Sequence, residues 1–363
     1  MTSTRSTQAG AEPRANQRVL GISVRELRLR TRTLLVGALG RSPVPALWTR
    51  LSRARDLVLC LHNVVEHQGP LGTNRGLDLT VRELETVIQF LREEGYRPAT
   101  LDEIVLRVES GNDVSDRRFA MTFDDGYAGN LHAAHPLLHH HGVPFTIYVT
   151  TGFMDRSVRV WWYALERFLA AVDEVAFEHG GAAHVFPAST VAQKIHAYRA
   201  IRALLLQASP SSADELLEQL FRGRVDDLCA LGAEDILTTE QVAHLSRDPL
   251  VTIGGHTVSH PVLRQLTVED SRQEIGACRE RLEAVTGRPV RHFAYPFGNR
   301  VAFGPREEQI VRESGYASAT TTRARRLTRA DRVTALPRIM LTADLDVVVA
   351  LRSLVTGWFG RGD

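Results

Sequence analysis

The chain has 363 residues, 44% of them hydrophobic and 24% charged, with 15 prolines. This composition excludes collagen-like, largely disordered and polytopic membrane classes, and fits about two domains or one large α/β domain with an insertion. The formal net charge of +2 is uneven: residues 1–55 hold eleven arginines against Glu12 and Glu26, a net +9 that leaves −7 for the remainder. The partner expectation is therefore no nucleic acid, since such binding needs cations concentrated on the folded surface.

Lys194 is the single lysine and has no glycine-rich loop before it, so a P-loop is excluded and Schiff-base chemistry would rest on that residue alone. Cys60, Cys229 and Cys278 are odd in number and widely spaced. They predict neither a disulfide scaffold nor a cysteine-built zinc knuckle, and suit a reducing compartment.

Residues 1–20 read as a polar tail. The stretch VRELRLRTRTLLVGAL (24–39) has too short an apolar half for a signal peptide. It predicts a packed or solvated helix, with peripheral membrane contact through the basic leader as the alternative. The expected location is cytoplasmic, with membrane-peripheral attachment as the variant, and no run approaches the ~18 apolar residues of a membrane span.

From Leu57 onward, strands alternate with helices, the pattern of βα units around a parallel sheet or barrel. LVLCLHNV (57–64) is a buried strand. TVRELETVIQFLREEGY is a helix opened by Thr80 and Glu83 as a capping box and stopped at Gly95. RRFAMTF (117–123) and PFTIYVT (144–150) are strands, with a helix end at 132–142 between them. The stretch from about 155 to 247 opens with WWYALERFLAAV and predicts a mainly helical insertion without strands. LVTIGGH (250–256), VRHFAYPF (290–297) and YASATTT (316–322) are strands again, separated by helices at about 267–286 and 305–314.

Three strand ends combine ionisable residues with glycine or proline: TFDDGY (122–127), GGHTVSHP (254–261) and FAYPFG (293–298). On parallel α/β architectures, catalytic groups gather at the C-terminal ends of several strands. Asp124 and Asp125 are adjacent carboxylates that cannot easily ionise together without a cation. His256 and His260, at i and i+4, predict two imidazoles on one side of a helical turn, and with an Asp they make a facial metal set. The histidines at 132, 135, 139, 140 and 141 read as a solvated helix face with no carboxylate interleaved.

TFDDGY, HTVSHP and FAYPFG, in that order, resemble the signature segments of the polysaccharide deacetylase superfamily (carbohydrate esterase family four, the NodB-homology domain), over about 56–155 and 249–345. The resemblance implies a distorted (β/α) barrel, seven-stranded and TIM-like, that hydrolyses the N-acetyl group of an amino sugar. It implies Asp125, His256 and His260 as ligands of a divalent metal, most readily Zn2+, with Co2+, Ni2+, Mn2+ or Fe2+ as alternatives. Asp124 would be the general base, and the oxyanion and substrate contacts would fall at Phe297 and Tyr295. The cation would activate water and polarise the acetyl carbonyl while Asp124 accepts the proton.

An amine leaves poorly unless protonated, and no histidine follows Arg338, where many members carry one. His62 in LCLHNV instead resembles the circularly permuted branch of the family and is expected to be the general acid. The family arginine of the third motif is replaced by Ala294, so Arg338, with Arg291 as the alternative, is expected to steady Asp124. Trp161 and Trp162 read equally as a sugar platform or as core packing.

The expected partition is a basic leader (1–55), barrel (56–155), helical insertion (156–248), barrel (249–345) and C-terminal tail (346–363). The expected activity is N-deacetylation of an N-acetylhexosamine in a polysaccharide, oligosaccharide or glycolipid. The alternatives are hydrolysis of another non-peptide C–N bond on the same barrel and non-catalytic carbohydrate binding.

Overall fold

The structure, a computed structural model, describes residues 18–19, 22–23, 56–111, 116–224, 228–343 and 347–355. The leader helix expected at 24–39 lies outside the described residues. Of the leader, Arg18–Val19 and Ile22–Ser23 pair as two short antiparallel strands.

The barrel begins with β1 (Leu57–Leu61), five consecutive buried residues. Strands covered on both faces are selected as such continuous apolar runs. Two short strands, β2 (Asn63–Val65) and β3 (Asp78–Thr80), form a separate parallel pair. Helix α1 (Val81–Glu93) follows with the Thr80 capping box complete, and buries Leu84, Val87, Ile88 and Leu91. Next come β4 (Tyr96–Pro98), α2 (Leu101–Ser110), β5 (Arg117–Phe123), a π-helical turn leading into α3 (His135–His140), and β6 (Phe145–Val149).

After the four-residue helix α4 (Thr151–Met154), the chain leaves the barrel through α5 (Trp161–Ala170). The expectation of no strands in this region is corrected here. An antiparallel pair, β7 (Glu174–His179) and β8 (Ala182–Pro187), is joined by Gly180 and Gly181, both at positive φ. That two-glycine loop matches the strand twist, and Val175 and Phe177 alternate inward. Helices α6 (Val191–Gln207), α7 (Pro210–Phe221) and α8 (Thr239–Leu245) complete the excursion. It has its own core around Leu165, Leu169, Ile201 and Leu217.

The chain returns through β9 (Val251–Gly255), α9 (Val268–Thr286), β10 (His292–Ala294), α10 (Pro305–Glu313), β11 (Ser318–Thr320) and β12 (Ile339–Met340). Strand β10 is shorter than the apolar run suggests, because Pro296 has no N–H to donate and the chain turns at Phe297, φ 60°. The first part of the expected tail is helix α11 (Val347–Val355), with Val347 and Leu351 in the main core.

The sheet order is β11-β10-β9-β6-β5-β1-β12, with β4 beside β5, and every pairing is parallel. A parallel bridge from Thr320 to Leu336 draws β11 toward the segment entering β12. The result is a distorted (β/α) barrel whose strand ends converge on one side. No helix among the described residues is long and apolar enough to cross a membrane.

Candidate active site

Asp124 and Asp125 stand where β5 ends. The Asp124 N–H donates to Leu61 O on the neighbouring strand. Asp125 (φ 73°) and Gly126 (φ 81°) are both left-handed, so the backbone reverses and aims the two carboxylates differently. Of the five non-glycine residues with positive φ among the described residues, four are Asp125, Thr257, His260 and Phe297. Backbone strain of this kind concentrates where side-chain placement matters more than local comfort.

The Asp124 carboxylate is buried and meets the equally buried Arg338 side chain in a two-pronged pair, Nη1 to Oδ1 at 2.6 Å and Nη2 to Oδ2 at 2.7 Å. Arg338 also donates from Nε to Thr321 O and from Nη1 to Thr122 Oγ1, and lies over the Tyr148 ring. Burial pushes the Asp124 carboxyl up, but the Arg338 guanidinium outweighs it and holds the group well below the usual carboxylate range. Arg291, the alternative partner, is exposed and faces Asp102 instead. Cys60 Sγ is 3.5 Å from Asp124 Oδ2, and burial raises its thiol well above the ordinary value.

Asp125 Oδ1 is 3.5 Å from Nε2 of both His256 and His260. These three residues offer donor atoms within 4.8 Å of one another, a group able to hold a metal ion. Two observations fit that use. Asp125 Oδ1 is buried with no hydrogen-bond partner, which a cation would satisfy. His256 Nδ1 lies 2.7 Å from Ala294 O, so the Nδ1–H tautomer donates there and turns Nε2 toward the group. Burial lowers the His260 imidazole to about 4, leaving it neutral and ready to ligate near pH 7.

The helical turn expected for His256 and His260 is absent. Strand β9 ends at Gly255 and a loop brings the rings together, their centroids 4.9 Å apart, through left-handed residues at Thr257 and His260. Glu274 of α9 clamps that loop. Its Oε2 accepts from the N–H groups of Val258 (2.9 Å) and Ser259 (2.8 Å), and its Oε1 accepts from Ser259 Oγ (2.6 Å). The His260 N–H donates to Thr257 Oγ1. Sequence reasoning passed over Glu274, whose role exists only once α9 is packed beside the loop.

His62 follows β1. It shares a second cluster of potential ligands with Cys60 and Asp124, and its Nδ1 is buried without a partner. Its neighbour Asn63 is tied to the excursion: Asn63 Nδ2 donates to Asp78 Oδ1 (3.0 Å), and Tyr163 Oη donates to the same oxygen (2.5 Å). Tyr163 also packs edge-on against Tyr127, two residues beyond Asp125.

The Phe297 ring lies 4.9 Å from that of His260, and the residue is 51% exposed. Its turn is fixed by Thr322, which donates from Oγ1 to Phe297 O and from N to Gly298 O. A Cβ on Gly298 would sit 2.5 Å from Thr322 N, so only glycine fits there.

Tyr295 is corrected as an oxyanion or substrate contact. It is fully buried, stacks on Phe303, and donates from Oη to Thr334 O, while its N–H is used by Thr320 O. Trp161 and Trp162 are partly buried, and Trp161 packs into the core of the excursion. Trp162 meets Phe153, which in turn stacks on His260. The histidine-rich stretch departs from a purely solvated face at His135, whose Nε2 lies 2.8 Å from Asp248.

A parallel barrel that gathers an arginine-paired carboxylate and a His2Asp donor group at its strand ends has the architecture of a barrel hydrolase. The family model for polysaccharide deacetylase matches residues 111–319, more than half of the chain, and the protein belongs to that family of hydrolases. His62 and Arg338 lie outside the matched range.

YxkH of Bacillus subtilis is 24% identical over 102 residues, covering 28% of this chain and 34% of that protein. The alignment thus spans about a third of that relative. Among solved structures, the Streptococcus pyogenes deacetylase PplD in complex with acetate has 16% identity and a TM-score of 0.56, over 83% of this chain and 98% of that one. IcaB from Ammonifex degensii has 18% identity and a TM-score of 0.53, over 83% and 97%. A polysaccharide deacetylase from Bacillus cereus has 18% identity and a TM-score of 0.52, over 83% and 69%. At these identities the likenesses concern the fold.

Proposed function

We propose that the protein is a metal-dependent N-deacetylase that hydrolyses the acetamide of an N-acetylhexosamine in a polysaccharide, oligosaccharide or glycolipid, releasing acetate. The observation that carries this reading is the buried Asp124–Arg338 pair beside the Asp125–His256–His260 group. A divalent cation held by those three residues, for which zinc suits the donor set, supplies Lewis acidity toward the acetyl carbonyl and a nucleophilic water near neutral pH.

Asp124 is the proton acceptor for the attacking water. Asp124 Oδ1 keeps a lone pair beyond the one Arg338 uses, while Oδ2 accepts from both Arg338 and Cys60, and the guanidinium keeps the group ionised. Phe297 N–H, with no acceptor within the described chain, donates to the oxyanion that forms on the acetyl carbon. His62 gives its proton to the sugar nitrogen as the C–N bond breaks, so the amine leaves neutral and acetate keeps the new oxygen. Phe153 stacks on the His260 ring and is itself backed by Trp162.

The test is acetate release from N-acetylglucosamine oligomers by metal-loaded protein and by Asp124→Asn. Release by the wild type with loss of most activity in the variant is expected. No release from any N-acetylated glycan, or equal release by both proteins, would overturn the proposal.

A further inference from the structure

Around the Phe297 turn, three arginines from three segments have no carboxylate partner among the described residues: Arg264, Arg300 and Arg323. Their segments meet at this turn. Arg264 donates from N to Ala302 O (2.9 Å) and from Nη1 to Arg300 O (3.0 Å). Arg323 directly follows Thr322, whose N–H and hydroxyl hold Gly298 O and Phe297 O.

The Arg323 guanidinium lies over the Phe303 ring, Cζ 5.2 Å from its centroid, and its Nε is buried without an acceptor. Burial, reinforced by Arg300, Arg332 and Arg325, holds Arg323 below its ordinary value despite Glu308. Glu308 is already committed, to Arg332 at 2.6 Å and to Thr334 at 3.2 Å. Neighbouring arginines do find acids, as Arg325 does with Asp331 and Arg306 with Glu307. Positive charge is therefore left over beside the metal-ligand wall, next to the exposed Phe297 and the 75% exposed Val301.

We infer that Arg264, Arg300 and Arg323 form a subsite for a phosphoryl group on the substrate, so that the preferred substrate is an N-acetylhexosamine bearing a phosphate ester or diester. The inference rests on the deacetylase reading and names its substrate class. Guanidinium forks match phosphate oxygens in geometry and charge. A phosphate oxygen would satisfy the orphaned Arg323 Nε, and Phe297 and Val301 would face the apolar surface of the attached group. The phosphoryl belongs either to the glycan itself or to a lipid headgroup carrying the sugar.

The experiment compares acetate release by the metal-loaded full chain from a neutral N-acetylglucosamine oligomer, from N-acetylglucosamine 1-phosphate, and from a polyprenyl-pyrophosphate-linked N-acetylglucosamine in detergent micelles. Binding of inorganic pyrophosphate is measured alongside by calorimetry. The expected result is a KM about tenfold or more lower for a phosphorylated substrate, equivalent to one or two charge-assisted hydrogen bonds. Arg323→Gln and the Arg300→Gln/Arg323→Gln pair, checked for folding by unfolding midpoint, should shrink that preference and weaken pyrophosphate binding by a similar factor. A preference shared by both phosphorylated substrates supports a glycan phosphate, and one confined to the lipid arm supports a headgroup. Equal KM values for neutral and phosphorylated substrates, or variants with unchanged preference and pyrophosphate binding, overturn the subsite. If no substrate yields acetate, the deacetylase reading falls, while the effect of the variants on pyrophosphate binding still decides the subsite.

Discussion

Arg338 reaches across 214 positions of sequence to place both Nη atoms on the two oxygens of Asp124. Neither group tolerates its burial alone, so the pair stands or falls together. Arg338→Met should strand a buried carboxylate and lower stability by about 3–5 kcal/mol, read as the urea midpoint. Arg338→Lys keeps the charge and loses the fork. With less to hold Asp124 down, its carboxyl rises, and the acid limb of kcat/KM moves to higher pH. An unmoved acid limb in the lysine variant would count against Asp124 as the base.

His62 is proposed to protonate the leaving amine, which predicts a loss that depends on the leaving group. His62→Gln should lower kcat on N-acetylglucosamine oligomers by roughly 10²–10⁴-fold. Hydrolysis of an aryl acetate, whose phenolate leaves unaided, should be nearly spared. Equal losses on both substrates would assign His62 another role.

Glu274 touches none of the proposed metal ligands, yet it fixes the loop that carries one of them. Outer-shell partners of this kind are worth about 10–100-fold in metal affinity. Glu274→Leu is expected to weaken zinc binding within that range, with Glu274→Gln, which can still accept from the loop N–H groups, falling between it and wild type. Competition with a chromophoric chelator measures this independently of turnover.

The half-buried His260 and the buried Asp78 give the metal-free protein opposing pH dependences. The His260 imidazole, lowered to about 4 by burial, takes up a proton more readily when unfolded, so its contribution to stability is lost as pH falls from about 6.5 toward 4. Asp78, raised to about 6 chiefly by burial, binds its proton more readily when folded and stabilises increasingly as pH falls from about 6 toward 4. His260→Asn should therefore flatten or reverse the loss of stability across this window, and Asp78→Asn should steepen it. Parallel urea titrations at pH 7, 5.5 and 4.5 would show whether the two slopes move in opposite directions.

The barrel was legible because its strands are covered on both faces and so appear as apolar runs such as LVLCL. The gathering of Asp125, His256 and His260 was legible because all three sit at motif-bearing strand ends, although the i, i+4 spacing of His256 and His260 suggested a helix where the structure has left-handed loop residues. Tyr295 misled because it borders the Phe297 turn in sequence while pointing into the core. The Gly180–Gly181 hairpin was readable from its glycines and the alternation around them, and was hidden by the helical pattern on either side. Glu274 and the arginine cluster carry no local signal, since both arise from segments distant in sequence. The −7 balance outside the leader even argues against local positive charge, because a sum over the chain does not say where charges meet.

The polar seam between the barrel and its excursion has a consequence for evolution and engineering. Beyond the Asn63–Asp78–Tyr163 contact, Glu166 of α5 is buried while accepting from the N–H groups of Leu71 and Thr73 and from Asn74 Nδ2, and Tyr198 of α6 donates to Asn74 Oδ1. The loop between β2 and β3 thus completes its hydrogen bonding on side chains contributed from ninety or more positions away. Shortening the excursion to a minimal linker would unstitch that loop beside His62. Grafting the excursion onto another barrel would carry a buried carboxylate with nothing to receive it, so the two parts can be exchanged between relatives only as a matched pair.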